Sequence, residues 1–191
     1  MLGLIPKQSS FADIHGALTH ALGPKEAARH DGLLKALQNS RQRALAPTAE
    51  DSSFGDRAAL RAYRSQLTSL ESRLPKASID ATKLVFNWTD TLKPKAVVSH
   101  SSIGYERASL LFNEAALMSR MAAKAVSQRN SEGRNEGQKI FRDAAAALLY
   151  IKDVLMPQCV ASALRAGLNE SERSCRVQSI LSLAIVRPPI F

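Results

Sequence analysis

Aromatic residues make up only 5% of the 191-residue chain, and there are two cysteines, Cys159 and Cys175. So low an aromatic content counts against a β-sandwich and suits helices packed through Ala and Leu. Two cysteines are too few for a disulfide framework, so reduced thiols are expected. No run approaches the roughly eighteen apolar residues that a membrane-spanning helix needs. The opening MLGLIPKQSS has neither the charged start nor the long apolar core of a secretory signal. Leu2 stands where myristoylation would need glycine, and the ending VRPPIF offers no prenylatable cysteine. These absences predict a cytoplasmic protein whose membrane contact is peripheral.

Catalytic patterns are missing too. Among His15, His20, His30 and His100 no two are spaced three or four apart. His15 and His20 would sit roughly 140° apart around a helix, so they cannot share a metal on one face. There is no G-x-G-x-x-G, no Walker loop and no nucleophile elbow. Gly133 and Gly137 fall in a polar stretch where Glu132 and Glu136 would repel phosphate, so a plain loop is expected there. Cys159 has no histidine close in sequence and reads as a buried thiol. Basic residues are not interleaved with exposed aromatics or set in a recognition motif, which argues against nucleic acid. No catalytic residue, metal or cofactor is expected, and the chain does not read as an enzyme.

What the chain does have is helical periodicity and positive charge. Hydrophobic residues reach 45%, enough to bury a core, and the net charge of +9 is spread over both halves without a block of like charges. Such a surface is drawn to acidic partners, including anionic membranes and acidic helices. Helices are predicted over about 11–22, 25–45, 56–74, 103–126, 136–156, 158–166 and 171–185. Ser9 or Ser10 can cap the first, and Gly23-Pro24 stops it. Leu33, Leu34, Leu37 and Leu45 mark the buried side of the second. Leu60, Tyr63, Leu67, Leu70 and Leu74 form a seam on the third. Strands are predicted over about 2–7, 83–89 and 96–100, where Leu84, Phe86 and Trp88 alternate with Val85, Asn87 and Thr89.

A helix hairpin dominates the middle. Its first arm repeats Ala108, Leu111, Ala115, Met118, Ala122 and Ala125, and its second Ile140, Ala144, Ala147, Ile151 and Leu155. Between them lies the polar run SQRNSEGRN, with Asn135 and Gln138 placed to form a capping box for the second arm. The small interior residues let the two backbones approach closely.

The order of residues along this hairpin adds a resemblance. Ser102-Ile-Gly-Tyr-Glu-Arg-Ala-Ser-Leu-Leu-Phe-Asn-Glu-Ala-Ala-Leu117 resembles the signature helix of the Bro domain family. Phe86-Asn-Trp-Thr-Asp90 is similar to that family's F-x-W-x-D strand, and Asn135-Glu-Gly-Gln-Lys-Ile140 to its D-E-G-L-K-I opening of the next helix. Ala144-Ala-Ala-Ala-Leu-Leu-Tyr-Ile-Lys152 is similar to its A-x-G-A-F-x-x-I-K run. The resemblance is specific over residues 84–155.

It implies a mainly α, helical-repeat, boomerang-shaped (TPR-like) scaffold with a small embedded antiparallel sheet and no catalytic activity. The implied partner is the C-terminal amphipathic helix of ESCRT-III subunits, bound in endosomal sorting and multivesicular body formation by helix-in-groove recognition. The implied location is cytoplasmic, peripheral to endosomes and their anionic membrane. Lys139 stands where the family carries a lysine of its ESCRT-III-binding patch, Ile140 follows it, and Asn135 and Asp143, four residues either side, share its helical face. A signalling adaptor of the Rho-effector or pH-response type is the alternative. Val177-Gln-Ser-Ile-Leu-Ser-Leu183 resembles the start of a further family helix, after which the chain diverges as Ala-Ile-Val-Arg-Pro-Pro-Ile-Phe. The expectation is therefore residues 1–191 as one partial domain, whose missing helices leave ESCRT-III affinity weak or absent in a truncated form.

Overall fold

Asp13 starts the first helix. Its carboxylate accepts from the Gly16 N–H at 2.8 Å, which places α1 at Ile14–Leu22 and not at residue 11. The expected caps Ser9 and Ser10 instead bond to Asn87 and Arg41. Gly23, at φ 78°, takes the left-handed conformation that closes α1, and Pro24 opens α2 (Pro24–Ala44) at its first position. In this computed structural model residues 4–46, 54–74, 82–90, 93 and 95–159 are described. Cys175 and the helix expected over 171–185 lie outside them.

Two of the four leucines assigned to the buried side of α2 are buried, Leu34 and Leu37; Leu45 is half-buried and Leu33 is 69% exposed. Arg41 marks the middle of the buried side, and Leu33 lies about 80° round the helix from it, beyond Leu37. Buried Gln38 fills the other edge, accepting from the Ile14 N–H at 2.8 Å and donating to Ala12 O at 3.2 Å. It pins the start of α1 to α2. In α3 (Phe54–Arg73) the predicted seam is present, with Leu60, Tyr63 and Leu67 buried and Leu70 partly so.

Strands β1 (Phe86–Thr89) and β2 (Val97–His100) pair antiparallel, Phe86 opposite His100 and Trp88 opposite Val98. Phe86 and Trp88 point inward and are fully buried. The third strand expected over 2–7 does not form among the described residues of that stretch. Pro6 lacks an N–H, and the neighbouring backbone is bonded to a helix: Leu4 N–H to Ser119 Oγ at 3.1 Å, and Lys7 N–H to Asn113 Oδ1 at 2.7 Å. Pairing with β1 comes later in the chain, where Thr89 N–H donates to Gln8 O (2.9 Å) and Ser10 N–H to Asn87 O (3.3 Å).

Helix α4 (Ile103–Ser127) runs through the centre and is buried on almost every side. Its Glu106 carboxylate, wholly buried, receives Arg41 Nε at 2.9 Å, Trp88 Nε1 at 2.5 Å and Tyr63 OH at 3.3 Å. One acid thus ties α2, β1 and α3 to α4. Burial pushes its pKa up, while Arg41 and the hydrogen bonds pull it back. Further along, Glu114 receives Arg57, Arg61 and Arg64 of α3.

Helix α5 (Ser131–Tyr150) packs on α4 and continues into a wide π turn, Ile151–Leu155, and then a helical turn that reaches Cys159. Neither the stop at 156 nor the fresh start at 158 occurs. Pro157 has no N–H to give to the helix ladder, and the wide turn just before it, with Met156 N–H bonded to Ile151 O, absorbs the change of register. Cys159 is buried, and its thiol is pushed up to about 12 by that burial. The rest of the helix expected over 158–166 is outside the described residues.

Candidate functional site

The connection between α4 and α5 decides which side of α5 meets solvent. The polar run over residues 127–135 predicts a long loop; the connection is instead Gln128–Asn130, with Arg129 in the left-handed region at φ 58°. The cap is Asn130, whose Oδ1 accepts from Gly133 N–H at 2.6 Å, so Asn135 lies inside the helix and caps nothing. Gly133 and Gly137 are not loop glycines. Both are buried where the backbones of α4 and α5 meet: a Cβ on Gly133 would stand 2.4 Å from Ala125 O, and one on Gly137 2.5 Å from Val126 Cγ2 and 3.0 Å from Ala122 O. Helical spacing from Gly133 to Gly137, Ala144 and Leu148 therefore forms the inner stripe, all of it buried.

The opposite side carries Asn135, Lys139 and Asp143, all exposed and advancing about 40° per step. None of the three makes an ion pair with another described residue. Ile140 is separate: it is half-buried against the core, so the structure groups three of the four sequence-predicted residues and turns the fourth partly inward. Continuing the same side, Ala146 and Tyr150 fall within about 20° of Lys139. Both are exposed, Tyr150 by 45%, and Leu149 beside it by 46%. This apolar extension is not among the sequence-predicted residues, although its spacing from Lys139, seven and eleven residues on, is a signal that could have found it. α5 thus presents a stripe that is polar at its N-terminal half and apolar at its C-terminal end.

A cavity of about 480 Å³ lies between the N-terminal segment, the end of α2, α3 and α4, and includes Lys7, Leu45, Leu60, Asn113 and Leu117 in its wall. No predicted site residue borders it. Among the described residues no three His, Cys, Asp or Glu side chains are grouped to hold a metal, and no helix is long and apolar enough to cross a membrane.

A buried ionic core, an embedded two-stranded sheet and one outward-facing amphipathic helix side define a mainly helical scaffold. The chain belongs to the BRO1-like domain family, whose model matches residues 1–182. It is 37% identical over 124 residues to mouse tyrosine-protein phosphatase non-receptor type 23, and the alignment covers 63% of this chain and 7% of that protein. It is 31% identical over 144 residues to mouse programmed cell death 6-interacting protein, with 72% of this chain and 16% of that protein covered. It is also 42% identical over 69 residues to the vacuolar protein-sorting protein bro1 of Schizosaccharomyces pombe (36% and 9%). The chain thus spans a small part of each of these relatives.

Among solved structures, ALIX in complex with the SIVmac239 PYKEVTEDL late domain superposes with a TM-score of 0.69 at 25% identity, covering 96% of this chain and 27% of that one. The ALIX BRO1 CHMP4C complex gives 0.68 at 23% identity, 96% and 53%, and shows the shared fold. The match to the phosphatase takes in 7% of that protein, too little to bring its chemistry to this chain.

Proposed function

We propose that residues 1–191 form one partial BRO1-like domain that binds the C-terminal amphipathic helix of an ESCRT-III subunit along the exposed side of α5. The protein would act as a scaffold in endosomal sorting, in the cytoplasm at the surface of endosomes. The observation that carries this is the exposed stripe Asn135, Lys139 and Asp143, which forms no ion pair among the described residues and runs into Ala146 and Tyr150. A docked helix needs an apolar strip to bury and polar groups to set its register, and this one side of α5 offers both. Ile140, the next residue, is half-buried against the core and helps to anchor this part of α5. Family membership supports the reading, and so does a relative solved with CHMP4C. The net charge of +9 suits an acidic helix and an anionic endosomal membrane.

Titration of the protein with a synthetic ESCRT-III C-terminal helix tests it. Saturable binding is expected, weakened about tenfold or more in Lys139→Asp. Binding that survives Lys139→Asp unchanged sinks the site assignment. No binding by the parent chain sinks the partner assignment and favours a truncated, non-binding form.

A further inference from the structure

Helix α3 turns three arginines onto one carboxylate. Arg57, Arg61 and Arg64 are four and three residues apart, on one face of the helix. Arg57 Nε donates to Glu114 at 3.1 Å and Arg64 Nη2 at 3.2 Å, while Arg61 Nε makes a closer contact with the same carboxylate. The Glu114 side chain is 2% exposed, whereas those of Arg57, Arg61 and Arg64 are 17%, 53% and 28% exposed. Among these four side chains three positive charges stand against one negative, an excess of two. Glu71, further along α3, does not reduce it, because Arg107 holds it at 2.6 Å. Arg57 and Arg61 reach Glu114 through Nε, and their Nη groups make no hydrogen bond to another described residue.

We propose that Arg57, Arg61 and Arg64 form an anion site for a phosphomonoester, on a helix remote in sequence from the α5 stripe and independent of it. The excess of two charges matches the phosphoryl group, which carries close to two negative charges at neutral pH. A carboxylate ligand would match only one. Guanidinium forks suit the tetrahedral array of phosphoryl oxygens, and a charge-assisted pair gains strength where the donors are partly buried. Glu114 supplies preorganisation. It already holds the arginines in place, so a ligand orders few rotamers when it binds.

The probe is inorganic phosphate, titrated at constant ionic strength against chloride while the Arg Nε–H resonances are followed by NMR. Saturable shifts at Arg57, Arg61 and Arg64 are expected, with affinity about tenfold weaker in Arg61→Gln and partly restored in Arg61→Lys, which keeps the charge but loses the fork. Arg43→Gln, an exposed cation of α2, is expected to leave affinity unchanged. Circular dichroism checks that each variant is folded. A phosphate response no greater than that to chloride overturns the proposal, as does an Arg43→Gln loss equal to that of Arg61→Gln. Vesicles carrying a phosphoinositide monoester, compared with phosphatidylserine vesicles of equal charge, identify the source. Preferential binding that Arg61→Gln abolishes assigns the site to a lipid headgroup. Equal binding, with the phosphate response intact, assigns it to a soluble phosphomonoester.

Discussion

Replacing Gly133 with alanine sets two known effects against each other. Alanine is the better helix former by about 1 kcal/mol, and Gly133 lies within α5, so propensity alone predicts a gain. Packing predicts the reverse. The added methyl carbon would stand 2.4 Å from the carbonyl oxygen of Ala125 and 2.9 Å from Asn130 Oδ1. The first is backbone of α4, which has no rotamer with which to move aside. The second is the capping oxygen, whose loss costs about 1 kcal/mol. Forcing α5 outward to normal contact distance costs about 1–3 kcal/mol, so the packing terms exceed the propensity gain. The net expectation is destabilisation of about 1–3 kcal/mol, a fall in Tm of about 2–12 °C. Gly32 is the control. It lies in α2, and a Cβ added there would meet nothing within 4 Å, so Gly32→Ala should stabilise by about 1 kcal/mol. Thermal and urea denaturation of both variants measure the two signs. A Tm for Gly133→Ala that rises like that of Gly32→Ala refutes the close approach of α4 and α5, and with it the orientation of the α5 stripe.

Arg41→Met strands the buried Glu106 carboxylate and should cost about 3–5 kcal/mol, with much of the loss recovered in the double variant Arg41→Met, Glu106→Gln. Urea titration of the double-mutant cycle checks this; additive losses would show that the pair is not coupled. Lys7 is buried, and burial lowers it from 10.5 to about 8, against the opposing pull of Asp90 and Glu106. Between those values the unfolded chain holds a proton that the folded chain has shed, so Lys7 makes the parent's stability rise with pH. Relative to Lys7→Met, the parent should gain up to about 3 kcal/mol from pH 8 to 10.5. The opposite trend from Cys159, whose thiol is pushed up to about 12, is common to both proteins and cancels in the difference. Parallel stability curves across that range would count against a depressed lysine.

Much of the helical scaffold was legible because local geometry imposes a period. Leu60, Tyr63 and Leu67, the two stripes of the hairpin, and the alternation of Phe86 with Trp88 each reflect a repeat that a helix or strand requires. The N-terminal pairing was less legible. The apolar run at residues 2–7 resembles a strand, yet its hydrogen bonds go to Asn113 and Ser119, more than a hundred residues away. Asn130 and Asn135 are equally good caps by composition. Only the contact of Gly133 with Ala125 O, which needs a glycine facing α4, selects the first.

Lys139, Asn135 and Asp143 could be grouped from their spacing alone, because four residues are close to one helical turn. The sequence by itself therefore determined the three helices expected over about 25–45, 56–74 and 103–126, most of their apolar stripes, the embedded strand pair and the family. The tertiary structure decided which charges are buried and which side of α5 is left outside. Glu106 and Glu114 are ordinary helix acids in the sequence. They become structural anchors because Arg41, Trp88, Tyr63 and the α3 arginines converge on them from distant parts of the chain. A buried charge is tolerated only with such partners, and no local pattern can announce where they will come from.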